Sequence, residues 1–521
     1  MDRPQRSFRA SFAAMAGLCL SVVLIAINGT VVGTALPRIV AELRGYDLYP
    51  WAASAFLMGN AAMIPIAGRL GDLYGRKPFV LAAITAFALA SAVCGMSGTM
   101  LQFVLARGLQ GLAGGMLVGV VFACVPDIFP DLLQRVRWQV MLSASFGIAT
   151  AVGPSLGGWM TEHLGWRSVF YVNLPVALAA VPVIAWFLPH VVHHDNEDRS
   201  IDWLGALFLT AAICGLLLSA EYSQRHGFAA PLSIGSWAAT VAFGIAFFRH
   251  QYRTSAPIVP PDVMENQGAR KLMLLGVMTG FTMFVMVFYI PLLLQGSFGQ
   301  SPKQAGFVMT PLLVCITVGS IANGRILPHL RRAERLIAWG QMGTLVSCLL
   351  LALLNADMPS GWMMAIFALC GISLGFQLPN LTLQMMEVAG RTNFGVASAL
   401  IQATRMIGSM IGVCVASVLV NGVYARGLKD ALARLHIANP EVAELASSPQ
   451  VLIREQDRAA LQSLAHQAGI DTAPLLDAAR HALTNGVRAS FLLCVLIAAI
   501  SIAVSLRLPR YGVRTAVQGA D

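Results

Sequence analysis

Residues 68–78 read Gly-Arg-Leu-Gly-Asp-Leu-Tyr-Gly-Arg-Lys-Pro and lie between two long apolar segments. Three glycines and four charged residues occur within these eleven positions. Glycines allow two helix ends to approach closely because no side chain intervenes. Asp72 and Arg76 are four residues apart and can therefore pair on one turn of a helix. The stretch predicts a tight, ion-paired connection between two membrane-length helices.

The composition of the chain is that of an integral membrane protein. Of its 521 residues, 57% are hydrophobic and only 12% are charged, whereas soluble domains carry about 25% charged residues. The net charge of +10 does not indicate a nucleic-acid partner, because the basic residues lie in short segments between apolar runs. That distribution is the one that orients membrane helices.

The sequence contains no recognisable motif for catalysis, a cofactor or a metal ion. The nine cysteines lie almost entirely within apolar segments and form no CxxC pair, so neither a disulfide framework nor a metal site is expected. The phosphate-binding pattern GxxxxGKS/T is absent, which argues against direct use of ATP. We expect neither an enzyme nor a bound cofactor.

The apolar segments predict an all-α protein with fourteen membrane spans. A helix needs about 20 apolar residues to cross a bilayer, and the open edge of a sheet cannot be satisfied in lipid. The candidate spans lie near 12–36, 51–70, 79–97, 101–125, 138–160, 169–188, 203–221, 232–248, 272–294, 305–323, 336–354, 362–384, 394–420 and 491–506.

The basic residues predict the orientation of these spans. Arg3, Arg6 and Arg9 precede the first apolar segment as in a signal peptide, but the segment is longer than a signal core and we expect it to be retained. Lys and Arg are more numerous in the loops that lie on the N-terminal side of the membrane. The long loop at 421–488 is exempt, because long loops cross the membrane regardless of charge. Both termini are therefore predicted to be cytoplasmic, in a bacterial-type inner membrane.

A weak internal repeat predicts two related halves. Gly324-Arg325-Ile326 ends one apolar segment as Gly68-Arg69-Leu70 ends another, about half the chain earlier. Related halves around a midplane site are typical of secondary transporters. The predicted domains are an N-terminal six-helix bundle (1–190), two inserted transmembrane helices (200–250) and a C-terminal six-helix bundle (270–510).

The loop at 421–488 is predicted to carry short amphipathic helices on the outer surface. Its apolar residues recur at helical spacing. They are Leu428, Leu432, Leu435, Ile437, Leu461, Leu464 and Ile470. The simplest interpretation is a lid or spacer, and docking of a periplasmic adaptor is the alternative.

The loop at 68–78, together with Asp127 after Pro126, resembles the fourteen-span drug/proton antiporters of the major facilitator superfamily. In that family, the corresponding acidic and basic residues form an inner latch that is closed when the pore faces outwards. The resemblance implies the same role for Asp72, Arg76 and Asp127. The alternative is a general orientation signal without a latch.

A second stretch resembles the span-five motif of exporters and antiporters in the same superfamily. Residues 147–158 read Gly-Ile-Ala-Thr-Ala-Val-Gly-Pro-Ser-Leu-Gly-Gly. Gly147, Gly153 and Gly157 leave one side of the helix nearly bare, and Pro154 removes a backbone hydrogen bond and bends the helix. The resemblance implies export rather than import.

The position expected to couple transport to protons departs from the family pattern. Span one carries Asn28 where the antiporters carry an aspartate. Asparagine cannot titrate, but it can bind substrate or offer its carbonyl to Arg107, which resembles the family's span-four arginine. For Arg107 the alternative is a side chain that reaches to the membrane interface. Glu221, at the outer end of span seven, is a candidate coupling acid, with an interfacial charge as the alternative.

Two further groups complete the predicted cavity. Arg405 lies in a segment, 402–408, that resembles the family's span-thirteen arginine segment. Met and aromatic side chains adapt to varied apolar ligands, although such residues are more often simple packing. The candidates are Trp51, Phe56, Met58, Phe281, Met283, Phe284, Met286 and Tyr289.

The resemblance implies a secondary exporter of amphipathic small molecules or drugs, coupled to protons and working by alternating access. Its partners would be a small-molecule substrate, protons and the lipid bilayer. A pocket without a fixed carboxylate should accept neutral or anionic solutes. Two alternatives stay open, namely a dedicated exporter of one metabolite and a non-transporting membrane sensor on the same scaffold.

Overall fold

The structure is a computed structural model. It describes residues 7–43, 48–129, 131–191, 201–227, 230–330, 332, 334–437, 439–452, 455–468 and 470–509. Within these ranges the chain forms helices joined by turns, with no strand. The predicted all-α class is confirmed there.

The described part of the chain up to residue 251 forms ten helices. They are α1 (Phe8–Leu43), α2 (Tyr49–Tyr74), α3 (Arg76–Met96), α4 (Met100–Val121), α5 (Cys124–Ile128), α6 (Leu132–His163), α7 (Ser168–Tyr171), α8 (Asn173–Phe187), α9 (Trp203–His226) and α10 (Pro231–Gln251).

The remaining described residues form nine α-helices, and a π-helical turn (Leu293–Ser297) continues α12. They are α11 (Pro261–Glu265), α12 (Gln267–Leu292), α13 (Pro302–Ile326), α14 (Glu334–Ala352), α15 (Ser360–Ala389), α16 (Phe394–Arg434), α17 (Pro440–Ala446), α18 (Glu455–Gln467) and α19 (Thr472–Ser505).

Several of these helices begin at polar residues that the sequence supplies. Thr99 and Asp131 accept hydrogen bonds from the first turns of α4 and α6. Ser301 and Gln304 form a reciprocal capping box at the start of α13. Such side chains satisfy amides that have no partner within the helix, so they set where each span begins.

The number of spans is confirmed for twelve helices. Among the described residues, twelve helical segments are long and apolar enough to cross a membrane. The two remaining predicted spans correspond to α2, with 26 residues, and α6, with 32, which both include side chains outside the described residues. Both carry polar residues that face other helices, such as Asp72 on α2 and Gln139 on α6. The count of fourteen therefore stays a prediction for these two.

The long helices pack into two groups. In the N-terminal bundle, α1 contacts α6 and α8, α2 contacts α4, and α3 contacts α4 and α8. In the C-terminal bundle, α12 contacts α16, α13 contacts α15, and α14 contacts α15 and α19. The two inserted helices pack on each other, and α9 also touches α2 and α16, one helix from each bundle. The boundaries of the three predicted domains stay predictions.

The two ends of the molecule differ. We call the end that carries Asp72 the Asp72 end, and the opposite end, which carries α17 and α18, the cap end. The amphipathic helices predicted for the loop at 421–488 lie at the cap end. They are α18 and the extensions of α16 and α19. Their apolar side chains join the core of the C-terminal bundle, and the Tyr424 hydroxyl donates to the Ala446 carbonyl at 2.8 Å. This segment is therefore an extension of the C-terminal bundle.

Candidate functional site

The three predicted latch residues lie together at the Asp72 end. Arg76 Nη2 lies 2.5 Å from Asp72 Oδ1, and Arg76 Nη1 lies 2.6 Å from Asp127 Oδ1. The side chains of Asp72 and Arg76 are almost fully buried, at 0% and 1% exposure. Gly75, at a φ of 88°, ends α2 and begins α3, which places Asp72 and Arg76 on successive helices within reach of each other. One arginine on α3 thus holds two carboxylates, one from α2 and one from α5.

The same carboxylate also reaches the other bundle. The backbone amides of Gly395 and Val396, at the start of α16, donate to the two oxygens of Asp72 at 2.8 Å each. The first amides of a helix lack intrahelical partners and carry partial positive charge, so a buried carboxylate is a strong acceptor for them. Gly68 permits this approach, because a Cβ added there would lie 2.5 Å from Ala399 Cβ. Asp72 therefore joins the two bundles.

A second ion pair joins the bundles at the same end. Arg135 Nη1, near the start of α6, lies 3.2 Å from Glu387 Oε1 on α15. The Arg135 guanidinium also lies 5.2 Å from the ring centre of Phe394. Glu387 is partly exposed, so this pair is weaker than the buried one. The two residues lie 252 positions apart, so no local pattern in the sequence indicates that they pair.

The glycine motif on α6 lies against the C-terminal bundle. A Cβ added at Gly147 would lie 2.7 Å from Thr317 Oγ1 on α13, and Thr317 donates to the Ala144 carbonyl at 3.3 Å. Gly153 and Gly157 are also buried, whereas the side chain of Pro154 lies outside the described residues. The bare face at Gly147 is thus used for close packing between the bundles.

A polar network lies inside the N-terminal bundle, around Gln110 on α4. Gln110 Nε2 donates to Asn28 Oδ1 at 3.2 Å and to Ser91 Oγ at 2.6 Å. Gln110 Oε1 accepts from Arg107 Nη1 at 2.6 Å. Asn173 also donates to Ser91, at 3.2 Å. Gln110 therefore joins α4 to α1 and α3, and Ser91 extends the network to Asn173 on α8. Gln110 lies three residues from Arg107 on the same helix face.

Two interpretations of this region need correction. Arg107 does not reach to the membrane interface, because it is only 3% exposed and lies 4.2 Å from the Phe56 ring centre. Its Nε donates to the Ala52 carbonyl at 3.1 Å. The Asn28 carbonyl accepts from Gln110 rather than from Arg107. Asn28 is 1% exposed, and its Nδ2 has no hydrogen-bond partner in the part of the chain that the structure describes.

The C-terminal bundle has a matching but uncharged network. Thr279 donates to Gln377 Oε1 at 2.9 Å, and Gln341 Nε2 donates to Thr279 at 3.1 Å. Gln377 Nε2 donates to Thr344 at 2.7 Å. Arg405, on α16, takes no part in this network. The structure thus does not bring Arg405 to Asn28 or to Arg107 by any hydrogen bond among the described residues.

Comparison with known proteins identifies the fold and the family. The profile of the Major Facilitator Superfamily matches residues 18–413. The chain belongs to this superfamily. It is 29% identical over 450 residues to the multidrug transporter protein MdtP of Bacillus subtilis (strain 168), covering 86% of this chain and 82% of that protein. It is likewise 29% identical over 448 residues to multidrug resistance protein 3 of the same strain, covering 85% and 86%.

A solved structure supports the architecture. The chain superposes on the proton:xylose symporter XylE with a TM-score of 0.60, covering 98% of each chain at 12% identity. Likeness at that identity concerns the fold alone. As a member of the Major Facilitator Superfamily with apolar spanning helices, the protein is a multi-pass membrane protein of a transporter family.

Four of the eight aromatic and Met residues predicted to line the cavity are buried packing residues. Phe281, Met286 and Tyr289 are at most 7% exposed and belong to the core of the C-terminal bundle. Phe56 lies under Arg107. The side chain of the other candidate, the coupling acid Glu221, lies outside the described residues.

Three functional features were missed in the sequence. The acceptor role of Asp72 towards α16 and the Arg135–Glu387 pair both join residues that lie hundreds of positions apart, so no local pattern shows them. Gln110 could have been found, because it lies three residues after Arg107 within an otherwise apolar span. A buried amide beside a buried charge indicates a polar network.

Proposed function

We propose that the protein is a secondary exporter of amphipathic small molecules that exchanges them for protons by alternating access. Relatives named multidrug transporters support the substrate class. The observation that carries the proposal is the position of the contacts between the bundles. Those at Gly68, Asp72, Arg135 and Gly147 lie in the half of the molecule towards the Asp72 end.

The cap half of the first helix borders open space. A Cβ added at Gly29 or Gly33 of α1 would meet no atom within 4 Å. The neighbouring Asn28 has a buried amide without a partner. A molecule that is closed at one end and open towards the other is what alternating access requires of one of its two states.

The distribution of basic residues supports a cytoplasmic Asp72 end. Both termini then lie in the cytoplasm, and the conformation described here faces outwards. In this orientation the buried ion cluster at Asp72 acts as the inner latch. Each charge-assisted hydrogen bond contributes about 1.5–3 kcal/mol, so the amides of α16 and Arg76 together favour the outward-facing state. Opening inwards would require α16 to leave Asp72.

Coupling to protons rests on the resemblance, and Asn28 makes it the first point to test. The purified protein would be reconstituted into liposomes containing a pH indicator, and neutral, anionic and cationic amphipathic compounds would be offered. We expect at least one compound to drive proton movement. Residue 28 is an asparagine, so proton movement in the wild type would mean that an acidic residue elsewhere couples transport. Glu221 would then be the next residue to substitute.

A matched variant separates the alternatives. Proton movement in Asn28→Asp but not in the wild type would contradict proton exchange for this chain and favour a facilitator. Binding without movement of any compound, in both proteins, would contradict transport and favour a sensor. Movement of one compound alone would favour a dedicated exporter.

A further inference from the structure

Arg405 is a charged side chain in mid-membrane that has no hydrogen-bond or ion-pair partner among the described residues. It lies eleven residues after the start of α16, which corresponds to a depth of about 16 Å at a rise of 1.5 Å per residue. The apolar core of a bilayer is about 30 Å thick, so Arg405 lies near its middle. No hydrogen bond or ion pair joins its guanidinium to any described residue, and its side chain is partly exposed.

The side chain lies on a polar face of the helix. Ser398, Gln402, Arg405 and Ser409 follow one another at spacings of three and four residues and so share one face. Ser398, Gln402 and Ser409 are at most 6% exposed. The opposite face carries Val418, which is 45% exposed. The polar face therefore points into the molecule and away from lipid.

The same turn of α16 also contacts the N-terminal bundle. Ile64 of α2 packs on Ala399 and Ala403, and Met406 joins this cluster. Beyond it, Gly408 and Gly412 face α12 of their own bundle, close to Val277 and Phe281. Arg405 thus lies on the same turn as this contact with α2, and its backbone packs closely on Gly280 of α12.

A cation at this depth is costly unless a cavity or a partner receives it. The described acidic residues lie at helix ends or in connections, so none of them can neutralise Arg405 at mid-depth. Gln402, one turn away and 5% exposed, adds a second unsatisfied group, because its Oε1 has no hydrogen-bond partner. A ligand that supplies an anion and a nearby hydrogen-bond donor would satisfy both.

We infer that Arg405 and Gln402 form the recognition site for the acidic group of an amphipathic organic anion, which is the substrate class of the proposed exporter. A carboxylate, sulfonate or phosphate monoester can accept two parallel hydrogen bonds from a guanidinium. A donor on the same ligand, about one helical turn from the acid, would bond to Gln402 Oε1. That the bound anion is also transported rests on the proposed function. Binding of the anion can be tested separately.

The test compares two dyes of the same ring system and opposite charge. Fluorescein is an anion near neutral pH and rhodamine 123 is a cation, and both contain xanthene. Binding to the full-length protein in neutral detergent would be measured by fluorescence anisotropy. We expect the wild type to bind fluorescein at least about tenfold more tightly than rhodamine 123, since charge-assisted hydrogen bonds are made only with the anion.

Variants assign the preference to the site. Arg405→Gln is expected to weaken fluorescein binding about tenfold or more and to leave rhodamine 123 binding unchanged or tighter. Arg405→Lys keeps the positive charge but cannot make two parallel hydrogen bonds as a guanidinium does. Its affinity for fluorescein should therefore lie between those of the wild type and Arg405→Gln. Arg480→Gln removes an arginine that pairs with Asp477 on the surface of the cap end and should change neither affinity.

The outcomes that would overturn the inference are distinct from failure of transport. Equal loss of both dyes in Arg405→Gln, or unchanged fluorescein binding in that variant, would overturn it. The inference would also be overturned if the wild type bound rhodamine 123 more tightly than fluorescein or bound neither dye. This comparison does not depend on whether a variant folds. Displacement of fluorescein by phosphatidylglycerol added to phosphatidylcholine vesicles would assign the site to a lipid headgroup instead. Anion binding without liposome transport would keep the site and reject the exporter.

Discussion

Arg107 and Arg405 both lie within membrane-spanning helices, and the structure treats them in opposite ways. Arg107 in the N-terminal bundle is 3% exposed, donates to Gln110 and to the Ala52 carbonyl, and lies over Phe56. Arg405 in the C-terminal bundle is partly exposed and has no partner among the described residues. The same residue type therefore supports the fold in one bundle and is available to a ligand in the other.

This comparison predicts opposite effects on stability, and they are the largest effects expected. Arg107→Met would remove the hydrogen bonds that Arg107 donates to Gln110 Oε1 and to the Ala52 carbonyl, at a cost of about 2–4 kcal/mol. Arg405→Met would remove an unpaired cation from mid-membrane and should leave stability unchanged or raise it. Thermal unfolding in detergent, followed by tryptophan fluorescence, would measure both. A similar loss in both variants would show that Arg405 is a structural residue as well.

The next effect concerns the charge that joins the bundles. Asp72→Asn keeps an acceptor for Gly395 and Val396 but removes the negative charge, so we expect the contact to weaken by about 1–3 kcal/mol. Hydrogen exchange of the first amides of α16 should then rise about tenfold or more, because exchange reports local opening. Mass spectrometry of peptides from this region would measure it.

The matched control for the latch is the second pair at the same end. Glu387→Gln breaks the Arg135 pair, in which the Glu387 side chain is 37% exposed. We expect less than about 1 kcal/mol from this more solvated pair. If Glu387→Gln opened the start of α16 as much as Asp72→Asn, burial would not be what distinguishes the two contacts.

The smallest effect belongs to a surface arginine near the cap end. Arg167 donates to Glu42, and Trp166 Nε1 donates to the same carboxylate at 2.9 Å. These hydrogen bonds hold the pKa of Glu42 below its ordinary value. The bond from Arg167 has the larger effect and the bond from Trp166 the smaller. A depressed pKa gives stability that is present above the unfolded value of about 4.3 and is lost as the pH falls through the folded value.

The expected consequence is a small, pH-dependent difference. Because the pair is about half exposed, Glu42→Gln should cost no more than about 0.5 kcal/mol at pH 7. The difference between wild type and variant should shrink as the pH falls below about 4.3. Unfolding temperatures measured between pH 3 and 7 would show it. A difference that grew on acidification would contradict the sign of the Glu42 pKa shift.

Much of the candidate site could be predicted where the relation between residues is local. Asp72 and Arg76 are four residues apart, and their pairing follows from helix geometry. That Arg107 and Arg405 lie within apolar segments follows from the sequence alone. The partner of each arginine could not be predicted, because Ala52 and Phe56 come from a different helix than Arg107.

The sequence by itself determined that this chain is an all-helical membrane protein, where most helices begin and end, and which charges lie in the membrane. These properties depend on apolar length, capping residues and short spacings, all of which are local. Only the tertiary structure decided that Asp72 caps a helix 323 residues away, that Arg107 is satisfied, and that Arg405 is not. The reason is physical. Whether a buried charge is paired depends on which side chains the docking of two bundles brings within about 3 Å, and no local pattern encodes that distance.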